Sequence, residues 1–258
     1  MGYGDDLLWI RDAEQQHGTV TPTRKTRPIP HRASEGLWKH LAFVQTKGKP
    51  LDELQHKDGR WARWYQFTGW APTPPQTPIT DICKGSDWDL VHDIESRHSK
   101  FILLCPDPKG QGSHHDVNKT WYHWQGLADI LSDYDWDLVR LTHEERPSYY
   151  KGVHTYTTDN IRSSLAVVAR ADAIVTTDGF WHHASAYTGT DCVTIWGSCT
   201  DYRRLGYDTQ ANIYDYERHG PCYTVHRQCQ DCVATMWRIT ADKVANALIN
   251  IKGLNDDT

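Results

Sequence analysis

The 258-residue sequence reads as an α/β protein: a parallel sheet covered by helices on both faces, preceded by a smaller unit of different character. Three observations lead there. From residue 97 onward, strand-sized apolar runs alternate with segments of helical period. The strongest apolar run, "FILLC" at 101–105, is strand-sized and far short of the roughly 20 residues that span a bilayer, so no membrane span is expected. Residues 1–96 instead carry "TVTPTRKTRPIP" and "GWAPTPPQTPITD", proline-rich stretches that no helix interior accommodates. The expected units are therefore 1–96 and 97–258.

In the first unit, "LLWIRDAEQQ" and "EGLWKHLAFVQ" have helical spacing. In the second, "KFILLCP" predicts a buried strand, "TWYHWQGLADILS" a helix capped by Thr120, and "WDLVRLT" and "GVHTYTT" the next two strands. "DNIRSSLAVVARA" follows as a helix capped by Asp159, then the strand "DAIVTT", the short helix "FWHHASAYTG", the strand "CVTIWG" and the terminal helix "TADKVANALINI". Such sheets bind ligands beyond the carboxyl ends of their strands. Three loops fall at that edge: "PDPKGQGSHHDVNK", "TTDGFWHH" and "WGSCTDYRRLGYD".

Composition narrows the partners. Twelve Trp and 13 Tyr against 4 Phe favour rings that both stack and hydrogen-bond. The net charge of -5 hides a segment, residues 15–80, where ten Lys and Arg face four Asp and Glu. Inside it "RWARWYQFTGW" interleaves Arg60 and Arg63 with Trp61 and Trp64, as a surface for a polyanion would, although core packing explains some of these rings equally well. The opening residues show no basic-then-apolar leader, and seven cysteines without framework spacing fit a reducing cytoplasm.

The densest chemistry lies in "TTDGFWHHASAYTG". Glycine before a helix start lets backbone amides and the helix dipole approach a phosphate. His182 and His183 are adjacent, so they project about 100° apart and cannot chelate one ion as an i, i+4 pair does. A packed core histidine is the alternative for each. The spacing Asp178, His183, then "ASA" resembles the donor loop D-T-G-x-x-H-x-A-A-A of the ADP-heptose:lipopolysaccharide heptosyltransferase family (glycosyltransferase family 9) and its smaller bacterial and viral relatives. Gly179 and Phe180 stand where that family has Thr-Gly, so a hydroxyl that touches donor phosphate is replaced by backbone. "NKTWYHWQGLADIL" is similar to the family's K-x-W segment and makes Lys119 the phosphate- or ribose-contacting lysine. The stretch from Gly220 through "ITADKVANAL" resembles the family's cysteine-bearing tail, and "GYGDDLLW" its G-D loop, with Asp5 as the matching base and Asp6 as neighbour and rival.

The resemblance implies a two-lobed GT-B fold with a reduced N-terminal acceptor lobe, and an inverting, metal-independent glycosyltransferase that uses a nucleoside-diphosphate sugar and no cofactor. Asp5 would activate an acceptor hydroxyl, a capping role being nearly as well supported. The leaving diphosphate would rest on Lys119, Asp178, Gly179, Phe180, His182 and His183, and Glu145, or Glu144 beside it, would hold the donor ribose. Arg162 reads as a surface contact or a cleft residue. Arg60, Trp61, Arg63 and Trp64 would meet the acceptor, either hydroxymethylated viral DNA or a phosphorylated surface glycan. The D-x-D sequences at 86–89 and 132–137 suggest a metal-dependent transferase, but 132–137 joins a helix to the start of a strand, at the edge remote from ligand. Cys222, His226, Cys229 and Cys232 form a C-x3-H-x2-C-x2-C run that could hold structural zinc. A sugar-nucleotide-binding module without turnover and a zinc-dependent nucleic-acid-binding protein stay open.

Overall fold

A computed structural model describes residues 78–106, 117–142, 149–158, 160–216, 220–222 and 228–253. The elements are α1 (Ile79–Ile82), a 3-10 turn (Gly85–Trp88), α2 (Asp89–Glu95), β1 (Phe101–Cys105), α3 (Trp124–Leu131), β2 (Asp137–Thr142), β3 (Val153–Thr157), α4 (Ile161–Arg170), β4 (Ala173–Thr177), α5 (Phe180–Thr188), β5 (Cys192–Trp196), α6 (Tyr202–Leu205), β6 (Ala211–Tyr214), α7 (Gln230–Arg238) and α8 (Ala241–Ile251). The six strands form one sheet in the order β3-β2-β1-β4-β5-β6, and every pair is parallel. The order reverses between β1 and β4, which makes their junction the topological switch point of a doubly wound α/β sheet.

β1 shows why the central strands are apolar throughout. Successive side chains leave a strand on opposite faces, so Phe101, Leu103 and Cys105 join one core with α4 and α5, while Ile102 and Leu104 join another with α3 and α8. Ile82, Val91 and Ile94 belong to the first core, so residues 79–95, grouped with the front segment on sequence, pack on α4 of the sheet layer. Asp87 fixes that contact: its carboxylate accepts from Arg162 Nε at 2.8 Å and from Asn160 Nδ2 at 2.8 Å.

The caps differ from those expected. The N-cap of α4 is Asn160, which accepts from the Arg162 amide at 2.9 Å, while Asp159, the expected cap, lies outside the described residues. Thr120 lies a turn too early to cap α3, whose N-cap is His123, because Trp121 is buried with its indole N–H donated to Ile239 O at 2.7 Å, in non-helical chain ahead of the helix. Thr240 caps α8 by accepting the Lys243 amide. β6 and α7 escaped the periodic reading: β6 is a half-buried edge strand, and α7 begins inside the cysteine-rich tail.

Candidate functional site at the switch point

β1 and β4 deliver their carboxyl ends side by side, and the chain leaving each supplies one half of an ion pair. Lys119 closes the connection after β1; Asp178 follows β4 directly. Lys119 Nζ lies 2.5 Å from Asp178 Oδ2, with the two side chains 13% and 5% exposed. The same ammonium sits 3.5 Å from the Asp178 carbonyl oxygen. Thr200, from the loop after β5, donates its hydroxyl to Asp178 Oδ2 at 2.8 Å. Three loops thus converge on one carboxylate. Burial would raise the Asp178 pKa, but the Lys119 charge and the hydrogen bonds from Lys119 and Thr200 hold it well below the usual carboxylate range.

The two histidines divide their work. His182 is fully buried. Its Nδ1 accepts the Gly179 amide at 3.0 Å, the reciprocal half of a capping box in which the third helical residue reaches back to the N-cap. Its Nε2 faces Leu205 O at 3.3 Å, so the proton sits on Nε2 and the ring is neutral. Burial, against the pull of Asp178, takes its pKa down to about 4. With both nitrogens engaged, His182 is a structural member of the loop, and the Gly179 amide expected to face a phosphate is spent on it. His183 Nδ1 lies 2.9 Å from the Tyr207 hydroxyl, and its pKa is lowered well below the usual value by burial and then by His182. The two rings are 3.8 Å apart but hold separate partners.

α5 is held from beneath. Gln210 Nε2 donates to His182 O at 2.6 Å and to Ser185 Oγ at 2.9 Å, while its Oε1 accepts from Thr194 of β5 at 3.0 Å. This fixes the first turn of the helix, with its aligned amides, against the ion pair. Gly179 itself opens outward: a Cβ built on it would have, among the described residues, only Thr177 O for a neighbour, at 4.0 Å. Its φ of 167° is extended backbone open to any residue, so what the glycine provides here is space.

Of the residues singled out on sequence, Lys119, Asp178, Gly179, Phe180, His182 and His183 come together. Asp5, Asp6, Arg60, Trp61, Arg63, Trp64, Glu144, Glu145 and His226 lie outside the described residues. Thr200, Tyr207 and Gln210 were missed individually, although Thr200 and Tyr207 lie in the loop named as the third of the carboxyl edge. Asp135 and Asp137 of the second D-x-D sit at the opposite edge, paired with Lys100 at 3.1 Å and His98 at 3.0 Å. Asp87 of the first is consumed by Arg162, the partner that settles Arg162 as an inter-helix contact. A depression of about 600 Å³, lined by Asn212, Tyr214, Asp215, Tyr216 and Lys243 among others, lies on the edge strand β6, two strands from β4.

No protein-family model and no curated protein matches the chain. Solved structures do resemble it. One is Escherichia coli ADP-heptose lps heptosyltransferase II, at 16% identity and a TM-score of 0.49, covering 71% of this chain and 55% of that one. E. coli heptosyltransferase WaaC with ADP has 17% identity and a TM-score of 0.45, covering 86% and 71%. A glycosyl transferase family 9 protein from Veillonella parvula DSM 2008 has 10% identity and a TM-score of 0.49, covering 72% and 55%. The chain spans about half the length of the first and third of these.

Proposed function

We propose that the chain is a glycosyltransferase whose switch-point site binds the diphosphate of a nucleoside-diphosphate sugar. The observation that carries this reading is the Lys119–Asp178–Thr200 cluster set against the first turn of α5, with space over Gly179 among the described residues. A leaving diphosphate needs positive charge that does not have to reorganise as the glycosidic bond breaks. Lys119, held by Asp178, supplies a fixed ammonium with further N–H groups, and α5 supplies aligned amides. Asp178 acts as a positioning residue, since its own oxygens are occupied by Lys119 and Thr200. With Nδ1 engaged by Tyr207, Nε2 is the ring atom through which His183 reaches the ligand.

In this reading transfer is inverting and needs no divalent ion: Asp5 or Asp6 removes the proton of an acceptor hydroxyl, Glu145 holds the donor ribose, and the basic, aromatic segment around Arg60, Trp61, Arg63 and Trp64 binds a polyanionic acceptor. The test is incubation of the full chain with a panel of nucleotide sugars and, separately, hydroxymethylated DNA and a phosphorylated glycan, read by mass spectrometry. One acceptor should gain the mass of a single sugar, in the presence of a chelator as well. Gly179→Val, which fills the open space without backbone strain, should weaken donor binding at least about 10-fold with the melting temperature unchanged. No mass gain on any acceptor, together with unaltered nucleotide binding in the valine variant, would refute the assignment.

A further inference from the structure

The cysteine-rich tail places three thiols together beside the switch-point site. The sulfur atoms of Cys222, Cys229 and Cys232 all lie within 4.8 Å of one another, and those of Cys222 and Cys232 are 3.4 Å apart. None of the seven cysteines forms a disulfide. Cys229 is the N-cap of α7 and Cys232 sits in its first turn, so the C-x2-C pair lies together at one helix start. Cys222 comes in from a separate strip of chain anchored by its amide to Ser198 O at 2.8 Å. Three sulfur donors from two chain segments, all within 4.8 Å of one another, are a thiolate-rich ligand set for a thiophilic cation, zinc or iron.

We propose that Cys222, Cys229 and Cys232 bind one such metal ion, and that this ion braces the donor site. The connections are short. Asn118, beside Lys119, is fully buried and its Oδ1 accepts the Cys229 amide at 2.8 Å. Thr200, in the same loop as Ser198, holds Asp178. Ser198 Oγ donates to Thr235 Oγ1 of α7 at 2.8 Å. A metal joining Cys222, whose amide is bonded to Ser198 O, to the start of α7 therefore fixes both the Asn118–Lys119 backbone and the Thr200 loop, the two sides of the ion pair. The effect on donor binding rests on the reading of the switch-point site given above; the metal site does not.

The experiment begins with elemental analysis of the full chain purified under reducing conditions. One zinc or one iron per chain is expected, the analysis itself deciding which. Chelator-treated protein titrated with cobalt(II) should show thiolate-to-cobalt charge-transfer absorption saturating at one equivalent, and Cys229→Ser should lose it. Metal removal should lower the melting temperature and weaken binding of ADP or UDP roughly 10-fold. Should the variant fail to fold, the cobalt(II) titration of the wild-type chain decides alone. A wild-type chain with neither bound metal nor the cobalt(II) band, a Cys222–Cys232 disulfide in the reduced preparation, or a Cys229→Ser protein that keeps its metal would overturn the site. Metal present at one equivalent without any ADP or UDP binding would leave the site standing and count against the sugar-nucleotide reading instead.

Discussion

At the scale of single residues, the buried charges make the sharpest predictions. Asp178 is almost wholly buried and its charge is compensated chiefly by Lys119. Lys119→Met would strand that carboxylate, at a cost of about 3–5 kcal/mol in urea unfolding at pH 7. Adding Asp178→Asn should recover most of the loss, because an amide can be buried with Thr200 as its partner. The two histidines act in the other direction on pH. Their folded pKa values are lowered, that of His182 from 6.5 to about 4. Their neutral forms are therefore no liability above pH 6.5, and stability declines as pH falls toward 4, by up to about 1.4 kcal/mol per unit for each ring. His182→Asn keeps an acceptor for the Gly179 amide but cannot titrate. Chemical denaturation between pH 4 and 7 should show a shallower slope for this variant than for the wild type.

At the scale of elements, the loop–helix joints hold the site in place, and they tolerate little change. Gly197, directly after β5, packs so closely that a Cβ would stand 2.7 Å from Asn118 O and 3.2 Å from Met236 Sδ. Gly197→Ala should therefore push apart the β5 loop and the Asn118–Lys119 turn, lowering stability by about 1–3 kcal/mol in thermal unfolding and loosening the ion pair with it. The strands β1 to β5 and the helices α3, α4, α5 and α8 were legible because continuous apolar runs and 3.6-residue periods survive in the sequence. Their caps were less so. Asp159 and Asn160 are both good cap residues, and the choice between them rests on Asp87, which holds the Asn160 side chain from 73 positions away in the chain. β6 carries neither signal, being an edge strand only half covered.

At the scale of the whole molecule, the sheet and its two helical layers form a unit that begins before the composition changes. α1, the 3-10 turn and α2 cover α4 through Ile82, Val91 and Ile94, and Asp87 with Arg162 locks the contact. A chain begun at residue 78 should retain a cooperative thermal transition, whereas one begun at residue 97 would lose Ile82, Val91 and Ile94 from the first core and should melt at clearly lower temperature or aggregate. Equal melting temperatures for the two truncations would show that α1 and α2 are dispensable. Among the described residues no helix is long and apolar enough to cross a membrane.

By itself the sequence determined that the sheet is parallel and doubly covered, and that Lys119, Asp178 and the glycine before α5 belong to its carboxyl edge. Both follow from local pattern, since periodicity and turn chemistry are written within ten or so neighbouring residues. Only the tertiary structure decided what each polar group does there. His182 caps α5 through the Gly179 amide, Thr200 and Gln210 are the braces, and the three thiols of the tail meet one another. Such roles depend on which partner burial brings within 3 Å across tens of residues, and no local pattern encodes that distance.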